Sequence, residues 1–447
     1  MDSYKIEKPD FTKINRKQII ENYLKNQDAY VNFVNKTSEN NYYYWDAVKY
    51  LTPPLNLNPI EAWYIIKLVR NISSKNTVIK AENGKYFTWY RPNYTDEYLH
   101  KIDMKFGGEI FTHYQNIITP YGKQKLLTKS IIEEAIASSQ LEGAAITTPV
   151  AKKLILENRS PKDKSERMII NNYRTMQAIT ENFKNQALSN EMLLELHKLI
   201  TKDTLDSDKQ GRYRKDDDNI TVNDQMKYIY HTPPNMNFLK EQISELIKYA
   251  NDENEKDFIH PIIKAIFIHF WLGYLHPFYD GNGRIARTLF YWYLLRKEYW
   301  AIQYLPISLV IKNAATQYGM SYIHSEQDDL DITYFYDFHI KKIMEAMKNF
   351  EIYIKKKSSE NTTIQSKLAG TFQLNDRQYE LLRYLTVKDE GSYITPTSFI
   401  TLYKVSRETT NKDLKKLEKL NLIEKKRFGK NVRYFATKLL YQKIASN

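Results

Sequence analysis

Between Ile262 and Leu294 two apolar helical stripes follow one another across a single short polar loop. No other stretch restricts the fold of this chain as strongly. Ile262, Ile263, Ile266, Phe267, Phe270, Trp271 and Tyr274 recur at alternating steps of one and three. That is the period of a helix with a wide apolar face, so the spacing predicts a buried helix ending near His276. Ala286, Leu289, Phe290, Tyr293 and Leu294 form the second stripe. Glycine is scarce, 13 of 447 residues, and long helical patterns dominate, so a mainly α architecture is expected.

The length predicts two or three units rather than one. The first hundred residues mix helical stretches with Pro53-Pro54 and the aromatic run Tyr86-Phe87-Thr88-Trp89-Tyr90, read as a short hairpin. Ile131, Ile132, Ala135 and Ile136 share one face of a helix running toward Glu142-Gly143. The polar, unpatterned stretch 356–370 reads as a linker. The expected divisions are an N-terminal helical extension over 1–110, a catalytic unit over 111–355 with a helix around 128–143, the linker, and a small domain over 371–447. With no cysteine there are neither disulfides nor thiolate metal sites, and no run of eighteen apolar residues occurs. A polar start without a signal-peptide core adds to the expectation of a cytoplasmic protein with no membrane partner.

The loop between the stripes reads His276-Pro277-Phe278-Tyr279-Asp280-Gly281-Asn282-Gly283-Arg284-Ile285-Ala286-Arg287. Gly281 and Gly283 let the backbone turn tightly and approach a ligand. The helix after them presents unpaired N–H groups and the positive end of its dipole. Arg284 and Arg287 share a face of its first turns, an arrangement that opposes the dipole unless an anion is present. A polyphosphate resolves that conflict. Asp280 supplies a hard oxygen ligand suited to Mg²⁺, Asn282 an amide for a phosphate oxygen, and His276 a base that titrates near neutrality. His260 and His269 read as core histidines of the first helix, and no His/Asp cluster has transition-metal spacing.

These residues resemble the signature of the Fic family, His-Pro-Phe-x-Asp-Gly-Asn-Gly-Arg-x-x-Arg, at every defined position. The resemblance implies a mainly α fold, a helical core with a small β-hairpin flap, and transfer of AMP from ATP to a Ser, Thr or Tyr hydroxyl of a protein. On that likeness His276 is the general base, Asp280 the metal ligand and Asn282 the α-phosphate contact. Gly281, Gly283 and the nearby backbone form the anion hole, Arg284 holds the β-phosphate, and Arg287 the γ-phosphate. Glycine at 283 sets the chain apart from the phosphorylating Doc-like branch, which has lysine there. Ser138-Ser139-Gln140-Leu141-Glu142-Gly143 resembles the family's inhibitory pattern, which gives Ser138 and Glu142 an inhibitory role, with Arg287 as the partner of Glu142. Tyr228, Ile229 and Tyr230 resemble the flap that pairs with a target backbone, and Gly211-Arg212-Tyr213-Arg214 the recurring Gly-x-Tyr-Arg element.

The last 47 residues hold ten Lys and three Arg against one Asp and three Glu, most of the chain's formal charge of +13. The small domain over 371–447, with its pattern of helix, helix-turn-helix and hairpin, resembles a winged helix, with Arg407, Thr410, Asn411 and Lys415 expected on the exposed face of a recognition helix. DNA and a docked protein are both open as its partner. Two further readings of the whole chain stay open in the sequence: a hydrolase that removes AMP at the same site, and a DNA-binding regulator with this module as sensor. ATP and a protein target are the expected partners, Mg²⁺ the expected cofactor, and a homo-oligomer remains open.

Overall fold

The computed structural model describes residues 1–106, 119–253, 257–387, 392–429 and 431–445. The expected boundary at 110/111 falls outside them. In chain order the principal elements begin with strand β1 (Asp2–Ser3), helix α1 (Pro59–Ser73), hairpin strands β2 (Lys75–Lys80) and β3 (Tyr86–Trp89), and helix α2 (Pro120–Leu141). Next come α3 (Lys164–Ala178), α4 (Asn190–Thr201), strands β4 (Val222–Asn223) and β5 (Tyr228–His231), and helices α5 (Pro261–Leu275), α6 (Asn282–Arg296), α7 (Ala315–Gln327) and α8 (Thr333–Ala369). The chain closes with α9 (Asp376–Val387), β6 (Tyr393–Ile394), α10 (Pro396–Tyr403), α11 (Arg407–Lys419), β7 (Ile423–Phe428) and β8 (Asn431–Ala436), followed by a last short helix. Among the described residues the fold is mainly helical with only small sheets, as the periodicity predicts.

Helix α5 is the centre of the largest core. Ile262, Ala265, Ile266, Ile268, Phe270, Trp271, Leu272 and Leu275 are all buried, so apolar groups face every side of it. Each such side chain contributes about 1.5–3 kcal/mol relative to exposure, which is ample to fix a helix at the middle of a bundle. His260 is not within that helix. It is the N-cap, its Nδ1 accepting from Ile262 N–H at 3.2 Å, with Pro261 at the first helical position. Helix α6 packs antiparallel beside α5 with Leu289, Trp292, Tyr293 and Leu294 buried in the same core.

Helix α2 is longer than expected, starting at Pro120 behind a Thr119 cap rather than near 128. The stretch expected to be a linker is the end of α8, which runs unbroken to Ala369. It contains no proline and no glycine before Gly370. Ile364 and Leu368, one turn apart, bury in the C-terminal core, so tertiary packing stabilises a helix that polar composition alone leaves unmarked. The region before 106 is likewise not purely helical: β2 and β3 pair antiparallel, and β1 joins β5.

In the C-terminal part, β6, β8 and β7 form one antiparallel sheet in that order. Helices α9 and α10 rest on the first half of α2, where Lys125 and Glu380 form a buried ion pair at 3.0 Å. The other end of α2 leads to Glu142.

Candidate active site at the turn between two buried helices

His276 closes α5 in the left-handed conformation, φ 45° and ψ 56°, and thereby turns the chain into the loop. Its backbone is held from outside: Arg214, itself buried, donates from Nε to His276 O at 2.9 Å and from its backbone N–H to Pro277 O at 2.8 Å. Arg214 also donates to Pro234 O, which ties the loop to the chain leaving β5. Gly211 and Arg214 are thus the two ends of a brace. Gly211, at φ 65°, donates its N–H to His197 Nδ1 at 3.0 Å, leaving Nε2 of that ring to donate to Asp280 O at 3.0 Å. His197 stacks on Phe278 with centroids 3.9 Å apart. Burial lowers its pKa to about 4, so it serves as a neutral strut.

Asn282 is braced within the loop. Its Oδ1 accepts from Phe278 N–H at 2.9 Å and its Nδ2 donates to Phe278 O at 2.8 Å, closing the loop on itself. The amide shapes the loop with one Nδ2–H, and its NH2 carries a second donor beside the N–H groups opening α6. Gly281 sits at φ 87°, where a β-carbon is strained. Gly283 has ordinary helical backbone, and a β-carbon there would lie 2.2 Å from Glu142 Oε1 and 3.0 Å from Arg287 Nη1, so those two side-chain ends would have to shift.

Arg284 is fully buried. Its Nη1 donates to Ile200 O at 3.2 Å and its Nη2 lies 3.4 Å from Asp280 Oδ1, yet neither Nε nor Nη2 has a hydrogen-bond partner among the described residues. Asp280 Oδ1 accepts from Gly281 N–H at 2.6 Å, and the carboxylate is one-third exposed at the loop surface. Arg287, 3% exposed, donates from Nε to Ser138 Oγ, and from Nη2 to Ser138 O and to Glu142 Oε1, each at 2.9 Å. Glu142 is the C-cap of α2, so the structure joins the end of that helix to the start of α6 through this cluster.

Beside His276 lies His231, the last residue of β5, with ring centroids 6.2 Å apart. Its Nδ1 meets Glu326 Oε2 at 2.7 Å and its Nε2 meets Tyr274 O at 2.8 Å. Burial pulls the His231 pKa down, but the Glu326 carboxylate raises it further, leaving it above the usual value. Burial first, and then this neighbouring charge, depress His276 to about 3. His276 is therefore a neutral imidazole throughout the neutral range, the form in which it accepts a proton. The roles of His197, His231 and Glu326 were not legible in the sequence, because each acts through a partner more than 40 residues away.

The flap exists as β4 and β5, antiparallel neighbours. In the C-terminal part Arg407, Asn411 and Lys415 are exposed on α11, but Thr410 is fully buried, its hydroxyl donating to Ser406 O at 3.0 Å. It lies one step from Asn411 and on the inner face, beside Asp413 and Leu414.

The described residues thus place a short glycine-bearing turn at the start of a helix that carries two buried arginines, within the largest helical core. Residues 187–294 match the Fic/DOC family, and the chain carries a Fic domain over that span. Over 92 residues it is 32% identical to Protein adenylyltransferase fic-1 of Caenorhabditis elegans, covering 21% of this chain and 17% of that protein. Over 113 residues it is 30% identical to Protein adenylyltransferase Fic of Nematostella vectensis, covering 25% and 24%. The matches thus span less than a quarter of these relatives. A Fic family protein from Desulfovibrio desulfuricans G20 has 20% identity and a TM-score of 0.48, covering 78% of this chain and 99% of that one. A Fic-1 fragment from C. elegans has 16% identity and a TM-score of 0.49, covering 70% and 82%.

Proposed function

We propose that this protein transfers AMP from ATP to a Ser, Thr or Tyr hydroxyl of another protein, and that Glu142 holds it inactive. The observation that carries this reading is the fully buried Arg284 guanidinium with two nitrogens left unpartnered at the start of α6. Buried N–H donors without an acceptor are costly even with Asp280 Oδ1 3.4 Å from Nη2, and a phosphate group is a ligand that satisfies them together with the helix-terminal N–H groups. In the proposed reaction the acceptor oxygen attacks the α-phosphorus as the bond from phosphorus to the bridging oxygen breaks and pyrophosphate leaves. The acceptor proton passes to neutral His276. Arg284 and Arg287 neutralise charge on the departing phosphates.

Mg²⁺ fits the donor set: it takes one or two carboxylates and completes its shell with phosphate and water, and Asp280 offers one partly exposed carboxylate beside the helix start. When bound there it would supply charge for the phosphate oxygens. Glu142 rests against Gly283 and takes Arg287 Nη2, so the carboxylate occupies the place of an anion. For the C-terminal part, the order of α9, β6, α10, α11 and the β7–β8 hairpin supports the winged-helix reading, with Arg407, Asn411 and Lys415 toward a partner.

The test is label transfer from ATP labelled at the α-phosphate. The Glu142→Gly protein is expected to label protein bands, and adding His276→Ala should lower that labelling by about a hundredfold or more while ATP still binds. Retained labelling in the double variant at neutral pH would remove His276 from the role of base.

A further inference from the structure

The flap strand β5 has two edges. One is covered by β4. The other is taken by residues 2–4 of the same chain: Asp2 N–H donates to Lys227 O at 3.1 Å and Tyr4 N–H to Ile229 O at 2.8 Å. The pairing is parallel, with Asp2 opposite Tyr228 and Ser3 opposite Ile229. The Tyr4 ring lies against Tyr228, 5.6 Å away and nearly perpendicular, and against Tyr230 at 5.3 Å. On the far side Gln327 Nε2 donates to Tyr4 O at 2.9 Å, while its Oε1 accepts from Ile6 N–H at 3.0 Å. Met1, Asp2, Ser3 and Lys5 are exposed. A few main-chain bonds and one aromatic ring therefore hold this strand, and β5 delivers the covered edge to His231, whose ring is 6.2 Å from that of His276.

We propose that residues 2–4 are an internal competitor for the edge on which the acceptor protein docks. An extended acceptor segment displaces them, runs parallel to β5, and seats an aromatic side chain where Tyr4 now lies against Tyr228 and Tyr230. Main-chain pairing makes such docking tolerant of sequence, and the tyrosine seat adds selection. The acceptor's role rests on the AMP-transfer reading, whereas the exchange of strands does not.

A fluorescein-labelled peptide of residues 1–8, titrated by fluorescence anisotropy into wild type, Tyr4→Pro and Gln327→Ala proteins, tests the exchange. Tyr4→Pro removes the N–H that reaches Ile229 and the seated ring, and Gln327→Ala releases the outer side. Both variants should bind the peptide more tightly than wild type, by about tenfold. A peptide with Ala in place of Tyr4 should bind about 3- to 10-fold more weakly, the scale of an aromatic pair. Equal affinity for wild type and both variants, or for the two peptides, overturns the inference. In the Glu142→Gly background, Tyr4→Pro should raise labelling of extract proteins from ATP labelled at the α-phosphate. The unlabelled peptide should suppress that labelling without changing the KM for ATP. Labelling that ignores both the variant and the peptide also overturns it. Absence of any label in Glu142→Gly, with the peptide still binding the variants, instead removes the transferase reading and leaves the strand exchange standing.

Discussion

On the proposed AMP-transfer reading, replacing Glu142 should raise label transfer from ATP, and the geometry sets the scale. Glu142 contacts Arg287 through one oxygen at 2.9 Å and is about one-quarter exposed, whereas Arg287 is buried. Truncating one member of a desolvated charge pair costs about 2–5 kcal/mol. Ser138 still accepts from Nε and Nη2 of Arg287 after the change, and water reaches the carboxylate, so the lower end applies. About 2 kcal/mol corresponds to a roughly 30-fold rise in the population able to place a γ-phosphate on Arg287. Glu142→Gly should thus raise labelling from ATP about 30-fold at limiting ATP, and Glu142→Gln, which keeps the shape, should activate less. Ser138→Ala removes one charge-assisted bond but leaves the main-chain carbonyl and Glu142, so it should activate less than Glu142→Gly. Calorimetric titration of ATP and label incorporation provide the measurements. Equal labelling by wild type and Glu142→Gly, with ATP binding verified in both, would refute the assignment of Glu142 as a lock on Arg287.

Three further outcomes are expected. Asp280→Ala should abolish the Mg²⁺ dependence of ATP binding with little change in melting temperature, because the carboxylate is one-third exposed and its contacts lie within the loop; an unchanged metal dependence in calorimetry excludes it as the ligand. Stability should fall on acidification: burial lowers His197 to about 4, His276 and His339 to about 3, and His269 well below its usual value. The unfolded chain binds these protons near pH 6.5, so stability is full above that value and is lost below it, by about 1.4 kcal/mol per pH unit for each histidine. His231, raised by Glu326, acts in the opposite sense, its contribution present at low pH and lost as pH rises. A melting temperature that stays flat from pH 7.5 to 5 would contradict this balance. If the C-terminal part binds DNA, affinity should drop steeply with salt and weaken in Arg407→Ala and Lys415→Ala, and no mobility shift at low salt across varied duplexes would favour a docked protein.

The sequence by itself determined the central pair of helices and the loop between them, because both are local. The alternating apolar spacing from Ile262 to Tyr274 dictates a helix, and Gly281, Gly283, Arg284 and Arg287 follow one another within two turns, so their convergence needs no distant partner. The C-terminal hairpin, observed as β7 and β8, was legible for the same reason. Tertiary structure alone decided the rest. Whether Glu142 reaches Arg287, separated by 145 residues, depends on how α2 lies across α6. The helical course of 356–369 depends on burial of Ile364 and Leu368, the inward turn of Thr410 on which face of α11 meets its core, and the strut role of His197 on a contact 83 residues away. The strand at residues 2–4 finds β5 only because the folded chain brings them together: a two-residue strand has too little periodicity to announce itself, and its hydrogen bonds are made with backbone, which every sequence carries alike.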